Sequence, residues 1–93
     1  MILGKVIGHV WATRKEESLN GLKFLVIKPI DHLNGADRPE ITAADAVGAG
    51  IGDTVMVVRG SSARKVLQKD HCPIDAMVVG IVDEVDVDET VDI

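Results

Sequence analysis

Gly48-Ala-Gly-Ile-Gly52-Asp53-Thr-Val-Met-Val-Val-Arg59-Gly60-Ser-Ser-Ala-Arg64-Lys-Val-Leu-Gln68 is the stretch that decides the fold. Residues 53–59 place Val55, Val57 and Val58 close together, and β-branched side chains fit a pleated strand. Glycines at 48, 50 and 52 punctuate the chain before that strand, and Gly60-Ser61-Ser62 interrupts it afterwards. Residues 63–68 contain good helix formers, with Ser61 or Ser62 expected as N-cap. The glycine loop precedes a strand, whereas a dinucleotide fingerprint precedes a helix. It also lacks the Gly-Lys-Ser/Thr ending of a P-loop. It reads as a tight turn that exploits positive φ.

Outward from this stretch the chain continues in short apolar runs. Segment 2–13 reads as a strand, with Val6, Ile7, Val10, Trp11 and Thr13. Gly4 and Gly8 share the alternation phase of Ile2, Val6 and Val10, a placement that admits a close backbone approach or a sharp bend. A polar loop, 14–21, ends in the turn signal Asn20-Gly21. Segment 22–30 is a second strand, 31–39 a loop around Asn34-Gly35 and Pro39, and 40–46 a short third strand. Residues 69–73 break the helix, and 75–87 form a last long strand. The acidic alternation of Val85 and Val87 with Asp86 and Asp88 is that of a strand with one wet face. Five strands and one helix without βαβ alternation favour a small, closed or partly closed antiparallel barrel.

The 93 residues suffice for one domain with a modest core. That core is aliphatic, because Trp11 and Phe24 are the only aromatic rings in a chain that is 46% apolar. Subunit association is a natural source of further burial for so small a domain. The net charge of −5 is uneven: residues 1–82 carry 10 basic and 9 acidic groups, whereas Asp83, Glu84, Asp86, Asp88, Glu89 and Asp92 face no basic residue in 83–93. A near-neutral body, an acidic tail and two aromatics argue against nucleic acid as a partner. Cys72 is the single cysteine, so no intrachain disulfide can form. No apolar stretch reaches the ~18 residues of a membrane span, and the chain reads as soluble and cytoplasmic.

The chemistry-bearing residues do not form a recognisable catalytic set. His9, His32, His71 and Cys72 lack any CxxC, HxxxH or HExxH spacing, so no metal or other cofactor is expected. Ser61, Ser62 and Cys72 lack a GxSxG elbow or a cysteine-nucleophile signature, and helix capping accounts for the serines without chemistry. The N–H groups at Gly60-Ser61-Ser62, with Arg64 nearby, are able to hold an anion, but a capped helix explains them more simply. The acidic tail contains no EF-hand loop. The residues by themselves end at a soluble β-barrel without a visible active site and leave function open.

Five stretches, in order, carry a resemblance: Met1-Ile-Leu-Gly-Lys-Val-Ile-Gly-His-Val-Trp-Ala-Thr-Arg-Lys15; Leu19-Asn-Gly-Leu-Lys-Phe-Leu25; Asp45-Ala-Val-Gly-Ala-Gly-Ile-Gly-Asp53; Val57-Val-Arg-Gly-Ser-Ser-Ala-Arg64; and Pro73-Ile-Asp-Ala with Val78-Val-Gly-Ile-Val-Asp83. Together they resemble the EutN/CcmL family, pentameric vertex proteins of bacterial microcompartments. The likeness runs from residue 1 to about 87. It implies an all-β, OB-like five-stranded antiparallel β-barrel with one short helix, assembled as a cyclic homopentamer. It implies a shell domain over 1–87, an acidic C-terminal tail over 88–93, and a structural role without catalysis or cofactor. The expected partners are further copies of the chain and hexameric shell proteins, with no nucleic acid and no membrane. The expected place is a microcompartment shell in the bacterial cytoplasm, towards a catabolic compartment rather than a carboxysome. Gly60, Ser61 and Ser62 are expected to line or flank the five-fold axis, with Gly48, Ala49 and Gly50 as second choice. Arg59 and Arg64 are expected to pair between subunits with Asp45 or Asp53. A small OB-like binding module is the alternative reading, and a small enzyme using Cys72 or the serines is a third.

Overall fold

The computed structural model describes residues 1–13, 15–30, 38–68, 73–88 and 90–91. Arg14, the 31–37 part of the second loop with His32 and Asn34-Gly35, and the 69–72 helix break with His71 and Cys72 lie outside them.

Five strands close into a barrel: β1 (Ile2–Val10), β2 (Phe24–Pro29), β3 (Ile41–Asp45), β4 (Thr54–Arg59) and β5 (Ala76–Val82). They neighbour one another in the order β1-β2-β3-β5-β4, and β4 returns to β1. Four junctions are antiparallel, and β3 runs parallel to β5 through the pairs Ala44/Met77 and Asp45/Val78. The antiparallel expectation is thereby refined to a mixed barrel, for a geometric reason. Directions cannot alternate all the way round a closed ring of five, so one parallel pair is unavoidable. Closure leaves few unpaired edges.

The strands form where alternation predicts, with inward Val6, Leu25, Ile27, Val55, Val57 and Val78 all buried in one aliphatic core. Each ladder ends where its partner ends. Val82 is opposite Thr54, the first residue of β4, so the last strand stops there rather than continuing to residue 87. The described tail 83–88 is exposed and not in a strand, which corrects the reading of its alternation within a single chain. The first strand likewise ends at Val10, leaving Trp11 outside it.

Within β1, the expected close approach is found at Gly4. A β-carbon there would meet the Ile27 side chain at 2.3 Å and the Lys28 carbonyl oxygen at 3.1 Å. A register shift between Val6 and Gly8 bulges the same strand.

Helix α1 (Ser61–Leu67) follows β4 and packs Ala63 against Ala44, Ile74 and Met77 in a second apolar cluster. Its N-cap is Gly60, not Ser61 or Ser62, and no side chain caps it. Gly60 takes φ 67° and ψ −145°, a conformation that a side chain disfavours. The helix therefore begins one or two residues earlier than the serine-cap reading, and both serines sit in its exposed first turn. The polar 14–21 loop contains one unforeseen element, a 3₁₀ turn at Glu17–Leu19. It is capped by Glu16, whose carboxylate accepts from the Ser18 N–H at 2.8 Å and from the Ser18 hydroxyl.

Candidate functional site

The residues singled out by sequence fall at two opposite ends of the barrel. β1, β3 and β5 share a direction and β4 opposes them. Loop 46–52 therefore lies at the end where β3 finishes, and the Gly60 corner at the other, where β4 finishes.

At the first end, two carboxylates shape the glycine loop. Asp45 Oδ1 accepts from the N–H groups of Val47 (3.0 Å) and Gly48 (3.1 Å), and Asp53 Oδ2 accepts from Gly50 N–H at 2.8 Å. Gly48 and Gly52 adopt φ of 81° and 96°, as a tight turn requires. The Gly52 N–H donates to Val6 O at 2.8 Å and ties the loop to β1. Ala49 points into the chain's own core, so Gly48 and Gly50 remain as the loop's outward small residues. Ile51 and Val47 are exposed beside them.

At the other end, Gly60 donates its N–H to Asp75 O at 2.8 Å and accepts from Ala63 N–H at 3.1 Å. Ser61 and Ser62 stand exposed beside it. Arg59 is exposed at the end of β4, without an ion-pair partner among the described residues. Arg64 is half-buried and donates from Nη1 to Ile74 O at 3.0 Å, tying α1 to the segment that leads into β5. Within the chain neither arginine meets Asp45 or Asp53.

A further feature escaped the sequence reading. A pocket of about 330 Å³ opens where β1 leaves the barrel, lined by His9, Trp11, Lys15, Leu22, Lys23 and Phe24 among others. His9 Nδ1 is buried there without a hydrogen-bond partner among the described residues, and its ring lies 5.9 Å from that of Trp11. Trp11 is 85% exposed. The signal was present in outline, since His9 and Trp11 share one alternation phase. Their meeting with Lys23 and Phe24 needed the β1/β2 register, which pairs His9 with Leu25 and Val10 with Phe24.

Among the described residues no three His, Cys, Asp or Glu side chains come close enough to hold a metal ion, and no helix is long and apolar enough to cross a membrane. Of the four ligand candidates only His9 is described. The surface offers turns, small residues and exposed apolar groups, the materials of an interface.

Comparison with known proteins decides among interface roles. The family model described as ethanolamine utilisation protein EutN/carboxysome matches residues 1–83. The chain belongs to the EutN/CcmL family. It is 51% identical over 86 residues to the microcompartment shell vertex protein GrpN of Rhodospirillum rubrum, covering 92% of this chain and 97% of that one. The solved GrpN pentameric microcompartment shell protein from Rhodospirillum rubrum superposes with a TM-score of 0.82 at 48% identity, covering 94% and 99% of the two chains. Gloeobacter violaceus CcmL superposes at 0.84 with 45% identity over 95% and 91%. EutN/CcmL proteins are shell vertex proteins, not enzymes, and this member is a structural component of a microcompartment shell.

Proposed function

We propose that the chain closes into a cyclic pentamer that caps the vertices of a polyhedral microcompartment shell in the bacterial cytoplasm, edge to edge with hexameric shell proteins. The observation that carries this reading is the near full-length likeness to a pentameric shell protein at 48% identity and TM-score 0.82. The physical logic is geometric. A flat hexagonal layer cannot close, and pentagons at its corners supply curvature. The subunit contact must then be heterologous and close after five copies. Residues 1–87 serve as the shell domain and 88–93 as an acidic tail.

In this reading the exposed corner Gly60-Ser61-Ser62 flanks the five-fold axis, where small residues admit close backbones. Gly48 and Gly50, with the buried Ala49 behind them, are the second choice. Arg59 is the stronger candidate for pairing with Asp45 or Asp53 of a neighbour, because Arg64 already serves Ile74 of its own chain. Both carboxylates keep acceptor capacity beyond their loop N–H bonds.

Native mass spectrometry at micromolar concentration tests the core claim. A mass of five chains is expected, and a monomer alone would sink it. Co-expression with hexameric shell proteins tests the partner claim: closed polyhedra are expected with this chain, and open sheets or tubes without it.

A further inference from the structure

The tail and the far half of β1 each leave a strand half-made. Residues 84–88 alternate Glu84, Val85, Asp86, Val87 and Asp88, a strand pattern with one apolar and one charged face. In the chain they form no strand. Among the described residues no backbone hydrogen bond joins 83–88 to the barrel, and Val85 and Val87 are exposed. A local pattern that its own fold leaves unsatisfied points to a partner outside the chain. The described molecule is elongated, 48 Å along one axis against 24 and 22 Å on the others.

β1 supplies the complementary feature. Its first half is paired on both sides, by β2 and by β4 as far as Lys5/Thr54, and Val6 is closed off by Asp53 and Gly52. From Gly8 to Val10 it is paired with β2 alone. That open edge is a template for an added strand. Beside it lies the pocket with His9, Trp11, Lys15 and Lys23, whose lining contains no carboxylate. Neither lysine has an ion-pair partner among the described residues, and the nearby Glu16 carboxylate is engaged by Ser18. β5 and β1 run in the same direction, so the tail leaves the barrel at the end where the pocket opens. Beside Val6, loop 46–53 of the same chain already occupies the ground next to β1.

We infer that residues 84–88 of one subunit dock on the β1 edge and the His9/Trp11 pocket of a neighbouring copy. Val85 and Val87 cover Trp11 and Phe24, and the carboxylates of Glu84, Asp86 and Asp88 face Lys15 and Lys23. The inference rests on the ring-forming reading, because a second copy must supply the tail.

Two measurements on the full chain decide it, with native mass taken alongside. Isotope-labelled and unlabelled chains are mixed, refolded together and treated with a zero-length carbodiimide. Links from Lys15 or Lys23 to Glu84, Asp86 or Asp88 are expected between copies. Trp11 is the only tryptophan, so its emission reports directly on coverage. The triple change Glu84→Lys, Asp86→Lys, Asp88→Lys touches no barrel residue. It is expected to shift the emission to the red and raise acrylamide quenching about twofold as the indole is uncovered. A pentameric mass with links only within a copy, with no links, or with unchanged Trp11 emission would overturn the docking and leave the pentamer standing. A monomeric mass would overturn the ring itself.

Discussion

Gly4 and Ile27 are packed so closely that a single added carbon has nowhere to go: a β-carbon on Gly4 would lie 2.3 Å from Ile27 Cγ2. Ile27 is fully buried, and its branched Cβ leaves that methyl little rotational escape. Behind it stands the Lys28 carbonyl, 3.1 Å away. Gly4→Ala must therefore push β1 away from β2 or force Ile27 off its rotamer. The expected loss is about 1–3 kcal/mol, as for other overpacked cores. Urea unfolding of both proteins at one fixed concentration measures it, the fixed concentration being needed because association adds to apparent stability.

Gly80 looks similar and is predicted to behave differently. A β-carbon there would approach Met56 Cε at 2.5 Å, but that atom is the tip of a flexible thioether chain. The next Met56 atoms are 3.8 Å and 4.0 Å away, ordinary contact distances. Gly80→Ala should therefore cost under about 1 kcal/mol, within the range of a repacked core. Equal losses from Gly4→Ala and Gly80→Ala would refute the distinction between a stiff neighbour and a soft one.

Much of the barrel was legible because alternation is a local signal. Val55 and Val57 fix the inward face of β4 whatever surrounds them, and Gly4 announces a close approach by sitting on the inward phase of β1. Where strands end was less legible, since Val82 stops β5 only because Thr54 starts β4, a fact about another segment. The parallel β3/β5 pair follows from closure and not from either strand. Family motifs drew attention to Asp45–Asp53 and Arg59–Arg64, yet the fold sends them to opposite ends. The pocket at His9 assembles residues from both sides of the 14–21 loop, and no local pattern unites them.

Arg64 is predicted to matter inside the subunit. Its Nη1 donates to Ile74 O at 3.0 Å, and Ile74 belongs to the cluster that seats Ala63. Arg64→Ala removes a charged donor from a half-buried carbonyl, for an expected loss of about 1–2 kcal/mol. Arg64→Lys should recover only part of it, because an ammonium lacks the guanidinium's fixed fork. If the variant instead unfolds like the parent but falls to smaller oligomers, Arg64 acts between subunits.

Acidification should release two local turns at the exposed surface. The Ser18 hydroxyl, and then its N–H, hold the Glu16 carboxyl below the usual carboxylate range, and Thr90 does the same for Asp88. A carboxyl depressed in the folded state contributes stability that is complete above its unfolded pKa and lost as pH falls through the folded value. The Ser18 and Thr90 amide resonances should therefore shift at pH values below those of an ordinary carboxylate. Ser18→Ala should move the Glu16 midpoint upward and leave that of Asp88 unchanged. The aliphatic core, with no buried polar or charged residue among those described, has no acid-sensitive group of its own to lose.

The corner after β4 gives the last prediction, because it reverses what the sequence suggests. If a serine hydroxyl capped α1, Ser61→Ala or Ser62→Ala would cost about 1 kcal/mol. The structure gives the cap to Gly60, without a side-chain bond, so both alanine variants should unfold within about 0.5 kcal/mol of the parent, as exposed substitutions do. Gly60→Ala should lose about 1–3 kcal/mol, the range for a residue held in a sparsely populated backbone region. The loss comes from the backbone and not from crowding, since among the described residues, chain neighbours aside, nothing lies within 4 Å of where the new methyl would stand. That same open space would adjoin neighbouring subunits if the corner flanks the five-fold axis. Gly60→Ala should then also reduce the fraction of closed rings at a given concentration, whereas Ser61→Ala and Ser62→Ala only make the corner smaller and should leave assembly intact. Comparing unfolding curves with native mass for the three variants separates backbone strain from crowding at the axis. A Gly60→Ala chain that matches the parent in both would remove this corner from either role.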